Sequence, residues 1–342
     1  ADRSGVFLGL HPRLVGLKQM FDAGHVSLIQ RSGYPQSSRS HFTGTDIWAT
    51  ASPANPTGAG WLGRYLDTLP SPVDPLAGWA TVREVPRALI GRTVSVPAIN
   101  SPAQYAFSSP NTTGNEPAFS RAAISRIASH LPAEKPHLSF VNATTQAALA
   151  TLDRVGSVVN YQPSTGVVYP NGNALAQALR TVAGAMFRNI GTKVFWVQTG
   201  GYDTHSAQNV NAANAGYANL MGTLDTALFA FYTDLKNQGL LQNTMVVIFS
   251  EFGRRISENV SGGTDHGAAG LMMTIGGSVQ GGIHGTAASL QPGHPTLENN
   301  SADVTWENDF RSVYASIIDN WLGADSVSIL GGNFRNPGLT IV

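Results

Sequence analysis

Cysteine is absent from all 342 residues, which excludes disulfides, thiolate metal ligands and a cysteine nucleophile. Lysine is scarce: of the 21 basic residues only Lys18, Lys135, Lys193 and Lys236 are lysine, so few flexible, strongly hydrated cations keep surfaces apart. Charged residues make up 12% of the chain, about half the usual share of roughly 25%. The 21 bases balance 21 acids, and a formal net charge of zero argues against a nucleic-acid binder working by phosphate neutralisation. A neutral, charge-poor surface of Gly, Ser, Thr, Asn and Gln favours self-association. No apolar run approaches the roughly 18 residues of a spanning helix, so no membrane span is expected. The start at Ala1, with neither initiator Met nor apolar leader, reads as a processed or trimmed N-terminus. What is present is 42% hydrophobic residues, enough for a sizeable core and too many for a disordered chain.

Leu14, Leu17 and Phe21 follow Pro12 at helical spacing and stop at Gly24, which predicts a helix; residues 26–30 then read as a buried strand. Between about residues 52 and 168 proline and glycine are dense, and no long periodic segment precedes Phe119. This stretch reads as a Pro-rich insertion or cap inside one domain spanning 1–342, with helices near 120–130 and 137–153. From residue 171 the pattern sharpens. Leu175, Leu179, Val182 and Met186 make one helical stripe before a strand at 194–198. Leu220, Leu224, Leu228, Phe231 and Leu235 make another before a strand at 245–249. A strand at 271–275 and a helix at 309–322 follow. Two helix-then-strand units with near-continuous apolar strands predict an α/β, three-layer α/β/α fold with a largely parallel central sheet covered on both faces.

Both strong strands run into polar loops, where open parallel sheets collect ligands. The first leads to Thr199-Gly-Gly-Tyr-Asp-Thr-His205, and the second to Ser250-Glu-Phe-Gly-Arg-Arg255. Ser261-Gly-Gly-Thr-Asp-His-Gly267 and Gly281-Gly-Ile-His-Gly285 come next. Asp203, His205, Glu251, Asp265, His266 and His284 form a hard oxygen and nitrogen set suited to Zn, Mn, Mg or Ca. One Asp-His pair is more simply a turn cap beside an ordinary loop histidine; three His-containing Gly-rich loops at successive strand ends favour a metal or anion site. Upstream, Ser37-Ser-Arg-Ser-His-Phe42 supplies the candidate catalytic residues Ser37, Arg39, Ser40 and His41. A metal-activated serine can attack, and Arg39 can clamp a tetrahedral anion. The same serine can equally cap a helix beginning near Phe42. Trp61, Trp79 and Trp196 read as packing residues, as do His11 and His25 at helix ends.

Taken in order, SSRSHF, GGYDTH, SEFGRR, GGTDHG, GGIHG and the closing DFRSVYASIIDNWLG resemble the family called domain of unknown function 1501 (DUF1501) over nearly the whole chain. That resemblance implies an alkaline-phosphatase-like fold, in the superfamily that also holds sulfatases and cofactor-independent phosphoglycerate mutases. It implies up to two divalent ions (Zn, Mn or Ca) bridging a Ser or Thr nucleophile. One ion would take Asp203, His205 and His284; the other would take Asp265, His266 and the nucleophile, Ser40 first and Ser37 second. Glu251 is either a ligand or the partner of a ligating histidine. The family also implies twin-arginine export to the bacterial periplasm or exterior. It implies as well an N-terminal apolar strand ending in a metal-binding Asp, which this sequence does not contain. Without that strand the sheet would keep an open pairing edge that a partner strand or another copy could fill.

Two readings follow. The first is a metal-dependent hydrolase of phosphate or sulfate esters, with Arg39 or Arg254 holding the equatorial oxygens. The second is a non-catalytic structural or assembly protein on the same fold, with a vestigial or single-ion site; neutrality and scarce lysine favour it. A Ser-His-Asp esterase lacks its Gly-x-Ser-x-Gly elbow, and neither a phosphate-binding loop nor a dinucleotide fingerprint is present.

Overall fold

Val26–Gly33 (β1) is the strand around which the sheet is organised. The computed structural model describes residue 2, residues 4–208 and residues 216–342. Ahead of β1 lies the helix Val15–Asp22 (α1), and after it come His41–Thr50 (α2), Trp61–Leu66 (α3) and the short strand Gly78–Ala80 (β2). Glu116–Ala128 (α4) and Pro136–Gly156 (α5) form a helical pair, followed by Ala174–Phe187 (α6), the strand Val194–Trp196 (β3) and Gly216–Asn237 (α7). The remaining strands are Val246–Ile248 (β4), Gly253–Arg254 (β5), His266–Gly267 (β6), Gly270–Ile275 (β7), Gly282–His284 (β8), Leu297–Glu298 (β9), Asp303–Val304 (β10) and Asn308–Asp309 (β11). Phe310–Ser316 (α8), a π-helical turn at Ile317–Trp321 and Ser326–Leu330 (α9) complete the chain.

The class is α/β, but the sheet is mixed, which corrects the expectation of a largely parallel one. β1 pairs antiparallel with β7, and β7 pairs antiparallel with β4. Along its other edge β1 pairs parallel first with β8 and then with β11. β3 lies outside this sheet and pairs parallel with β2. The reason is connectivity. Continuous apolar runs signal burial on both faces, whereas direction depends on the link between strands. The chain passes from β4 to β7 through loops and the β5–β6 pair, without the crossover helix that a parallel return requires.

Alternation along β1 and β7 feeds two cores. Leu28 and Met273 point into one, with Leu17 of α1, Leu175 and Leu179 of α6, and Leu228 and Phe231 of α7. Ile29 and Met272 point into the other, among α2, α3, α8 and α9. The second core is aromatic: Trp48 stacks on Phe310 and Trp61 on Tyr314, each pair with ring centroids 4.3 Å apart. Burying one such side chain contributes roughly 1.5–3 kcal/mol. Trp61 and Trp79 are buried, as packing residues should be, while Trp196 is only half-buried.

The Pro-rich stretch is tied into these cores at its start, through Leu62, Leu66 and Leu89. Trp79, Val155, Val158 and Ala185 join it to α5 and α6 in a third, smaller cluster. Its outer end carries exposed apolar side chains, among them Phe119, Ile127 and Phe140. Among the described residues, no helix is long and apolar enough to cross a membrane.

Candidate metal centre

The polar loops that follow β3 and β4 meet the start of α2 at one end of the sheet. Ser40 caps α2, its Oγ accepting from the Thr43 N–H at 3.4 Å, and this places His41 at the first helical position. β5 pairs with β6 in a register that sets Arg254 opposite His266. Two glycines permit the approach. A Cβ on Gly253 would lie 1.9 Å from the Ala269 carbonyl oxygen, and one on Gly263 would lie 2.3 Å from the His205 carbonyl carbon. The glycine-rich loops are therefore close-packed backbone crossings.

Asp203 is the hub. Its Oδ1 lies 2.8 Å from His266 Nε2, 3.0 Å from His205 Nε2 and 2.5 Å from Arg254 Nη2. Its Oδ2 lies 3.3 Å from His41 Nε2. Each imidazole is held from behind: His41 Nδ1 faces Glu251 Oε1 at 2.6 Å, His266 Nδ1 faces the Arg39 carbonyl at 2.7 Å, and His205 Nδ1 faces Asp265 Oδ1 at 3.1 Å. A carbonyl or carboxylate can only accept, so Nδ1 carries the proton in each ring; Nε2 then donates to Asp203 when the ring is protonated and, when it is neutral, presents its lone pair inward to a cation. His205 Nε2 and His266 Nε2 are 2.9 Å apart. Two lone pairs at that separation repel unless a proton or a cation stands between the rings. Phe252 fixes two of the rings, stacking on His266 with centroids 4.1 Å apart and leaning on His41 at 4.9 Å.

Electrostatics match this geometry. Burial works against the charge of Asp203, yet hydrogen bonds from His266, Arg254 and His41 hold its carboxyl far below the usual carboxylate range. The Glu251 hydrogen bond raises the pKa of His41. The same bond, with one from Ser250, keeps Glu251 below its ordinary value despite partial burial. Asp265 is lowered by Asn259 and then by His205. The His41 and Asp203 side chains are 44% and 45% exposed, while His266 is 17% exposed. The cluster is therefore open to solvent rather than enclosed.

His41, Asp203 and His266 offer ligand atoms within 4.8 Å of one another, a spacing that a slight contraction around one Zn or Mn ion would satisfy. The anticipated residues fall into three sets. Asp203, His205 and His266 come together, and His41 joins them as a donor, where the sequence suggested a catalytic role beside the serines. Glu251 and Asp265 stand behind His41 and His205, so the side chains do not divide along the two ligand groups that the family resemblance implied. His284 stands on β8 opposite Ile29, outside the group of three donors. The remaining anticipated residues are engaged elsewhere. Arg39 turns its guanidinium to Asp303, at 2.5 Å, and to Glu298, at 3.1 Å; only its carbonyl reaches the cluster. Ser37 is buried, 3.1 Å from Arg39 Nη1. Ser40 is exposed one residue before His41. Arg254 spends its guanidinium on Asp203, the Tyr202 carbonyl and the Thr264 carbonyl. Sequence reasoning missed two supports: Asn259, which donates to Asp265 at 3.0 Å and to the His205 carbonyl at 2.9 Å, and Phe252. Asn259 lies outside the quoted motifs, and Phe252, although inside SEFGRR, has no polar group to mark it.

A family model described as protein of unknown function (DUF1501) matches residues 26–304. No curated protein and no solved structure matches the chain.

Proposed function

The chain belongs to the DUF1501 family, and for this member we propose a metal-dependent hydrolase of phosphate or sulfate esters, of alkaline-phosphatase and sulfatase type, acting outside the cytoplasm. The observation that carries the proposal is the convergence of three imidazole Nε2 atoms on one carboxylate, each ring oriented by an acceptor at Nδ1. His41, Asp203 and His266 would hold a divalent ion, with His205 beside them. When bound, that ion supplies a lowered pKa to an adjacent hydroxyl and neutralises charge on the ester oxygens. The chain's own residues do the rest. Ser40, exposed beside His41, is the hydroxyl offered as nucleophile, and the N-terminus of α2 favours the negative charge that develops there. Arg254 holds Asp203 in its ionised form. Glu251 keeps the His41 ring turned so that Nε2 faces the cluster.

The test combines elemental analysis of the purified protein with turnover of p-nitrophenyl phosphate and p-nitrophenyl sulfate. The proposal expects at least one equivalent of Zn, Mn or Ca, lost in the double variant His41→Ala, His266→Ala. It also expects turnover of one ester that Ser40→Ala abolishes while metal is retained. A native protein that takes up no divalent ion would remove the proposal. One that binds metal and turns over neither ester would leave the alternative of a non-catalytic assembly protein, which the structural engagement of Ser37 and Arg39 favours.

A further inference from the structure

Asp303, the first residue of β10, is 0% exposed. A carboxylate taken out of water is costly unless cations stand against it, and two guanidinium groups do. Its Oδ2 lies 2.5 Å from Arg39 Nη2, and its Oδ1 lies 3.4 Å from Arg255 Nε. Backbone hydrogen bonds fix the chain on either side of it: the Ile256 N–H donates to the Ala302 carbonyl at 3.1 Å, and the Ala269 N–H donates to the Val304 carbonyl at 3.3 Å.

Each guanidinium leads back to the cluster at Asp203. Arg39 folds over its own loop, where Nη1 donates to the Ser37 carbonyl and lies 3.1 Å from Ser37 Oγ. The carbonyl of Arg39 is the acceptor 2.7 Å from His266 Nδ1. Arg255 donates its N–H to the Asp265 carbonyl at 2.9 Å, and its Nη1 lies 3.7 Å from Asp265 Oδ2. Asp265 Oδ1 is the acceptor 3.1 Å from His205 Nδ1. Two of the three imidazoles are thus backed by groups that share one buried anchor. The third has its own support, since Glu251 bonds to His41 and Ser250. Given the metal site proposed at His41, Asp203 and His266, on which this role rests, we infer that Asp303 is its positioning residue: through Arg39 and Arg255 a single carboxylate sets the acceptors behind His266 and His205 together.

Stability alone is a poor account of this arrangement. Burying a carboxylate against guanidinium groups costs desolvation that their attraction only roughly offsets, and apolar packing of the same volume often does as well. Direction is what the arrangement supplies. Arg39 spans from Asp303 to Glu298, and Arg255 from Asp303 to Asp265; a planar fork held between two anions has a fixed orientation that a flexible ammonium lacks. The two arms differ in tightness. Arg255 Nε and Asp303 Oδ1 are both buried and neither makes a hydrogen bond. At 3.4 Å they stand about 0.5 Å beyond an ordinary N–H···O bond. The slack therefore lies on the arm to His205, whereas the arm to His266, one of the three donors, is closed at 2.5 Å. Asparagine at 303 would keep the shape and remove the charge, leaving Arg39 with only Glu298, 40% exposed, as an anionic partner.

The experiment is zinc competition against a fluorescent chelator at about pH 8, on the full chain freed of metal, with urea unfolding to establish which variants are folded. Asp303→Asn should weaken zinc binding about tenfold, the lower end for a group that orients a ligating histidine. Combined with Arg39→Gln or Arg255→Gln, its loss should fall well short of the product of the two single losses, because all three act along one chain of contacts. Combined with Glu251→Gln, on the separate support of His41, the losses should multiply. Glu298→Gln, at the exposed partner of the same guanidinium, should leave affinity within about twofold. The double variant Asp303→Asn, Arg39→Gln removes the buried charge with its partner, so it carries the test if a single variant fails to fold. Native affinity, within about twofold, in Asp303→Asn or in that double variant would overturn the role. So would losses that multiply with Arg39→Gln, or that fail to multiply with Glu251→Gln and so mark a diffuse effect on the fold. A native chain that takes up no zinc removes the metal site and this role with it, whereas zinc bound equally by the native chain and Asp303→Asn removes this role alone.

Discussion

Glu251→Gln tests whether His41 is a metal ligand. The carboxylate lies 2.6 Å from His41 Nδ1, with 24% of its side chain exposed. A hydrogen bond to a charged acceptor contributes about 1.5–3 kcal/mol and a neutral one about 0.5–1.5. The amide oxygen of glutamine keeps the geometry and loses the charge, so the difference is about 1–1.5 kcal/mol, close to tenfold in affinity. That is the lower end of the roughly 10- to 100-fold range for removing the partner of a ligating histidine. Glu251→Ala, which removes the acceptor altogether, should fall nearer the upper end. Competition of the metal-free protein against a fluorescent zinc chelator at about pH 8 measures both, since ligand imidazoles must be neutral to bind. Asp153→Asn, on a surface pair with Arg121, is the control and should change nothing. The pH dependence carries a second check. Glu251 raises the pKa of His41, so protons compete harder for the native ring as the pH falls through that raised value. The deficit of Glu251→Gln should therefore shrink toward about pH 6. Affinities of the native protein and the Glu251→Gln variant that agree within about twofold at about pH 8 would refute the assignment of His41 as a ligand.

Gly263→Ala should weaken metal binding by about tenfold or more with every donor still present, because its Cβ collides with the His205 backbone at 2.3 Å. Calorimetric titration reads it, and native affinity would mean that the loop crossing does not position His205. Asp234 is fully buried and accepts from Tyr161, Tyr169, the Ser164 N–H and Gln238. Asp234→Ala leaves these donors unsatisfied and should cost about 3–5 kcal/mol in urea unfolding, a loss under about 1 kcal/mol being the contrary result. Asp319 is lowered to about 2 by Arg335 and Ser326. Its folded value lies below the unfolded one, so its contribution is complete above about pH 4 and disappears as the pH falls through about 2. Arg335→Gln should flatten the acid limb of stability in that window, and identical limbs would contradict the ion pair. At the cap, Ser40→Ala should cost about 0.5–1 kcal/mol in thermal unfolding, given the long, exposed bond to Thr43; a larger loss would assign Ser40 a structural role beyond capping.

The legible parts of the sequence were those where one local pattern decides the outcome. Apolar stripes such as Leu175, Leu179 and Val182 fixed α6, and continuous runs located β1, β3, β4 and β7 to within a few residues. Loops ending in Asp203, His205 and His266 could be identified because glycine marks where backbones cross. Strand direction was not legible, since Val246-Val-Ile reads alike in either sense and the deciding connection from Ser250 to Ala269 has no periodicity. Nor was the pairing of His41 with Glu251, 210 residues apart, or the diversion of Arg39 to Asp303, 264 residues away. Local chemistry names a guanidinium beside serines as an anion clamp. Only the tertiary fold brings up the buried carboxylate that claims it.

β1 is made early and completed late. Its partners β7, β8 and β11 all lie about 240 residues or more further along the chain. At a synthesis rate of about 5–20 residues per second, Val26 to Gly33 emerges from the ribosome roughly 10–50 s before its first hydrogen-bonding strand exists. Through that interval β1 has α1, α2 and α3 to touch but no strand to pair with, and α1 beside it lacks α7 to pack on. Nascent chains arrested before Ser278 should therefore remain protease-sensitive throughout. Any holdase that attends this protein would find its principal client site at residues 15–33.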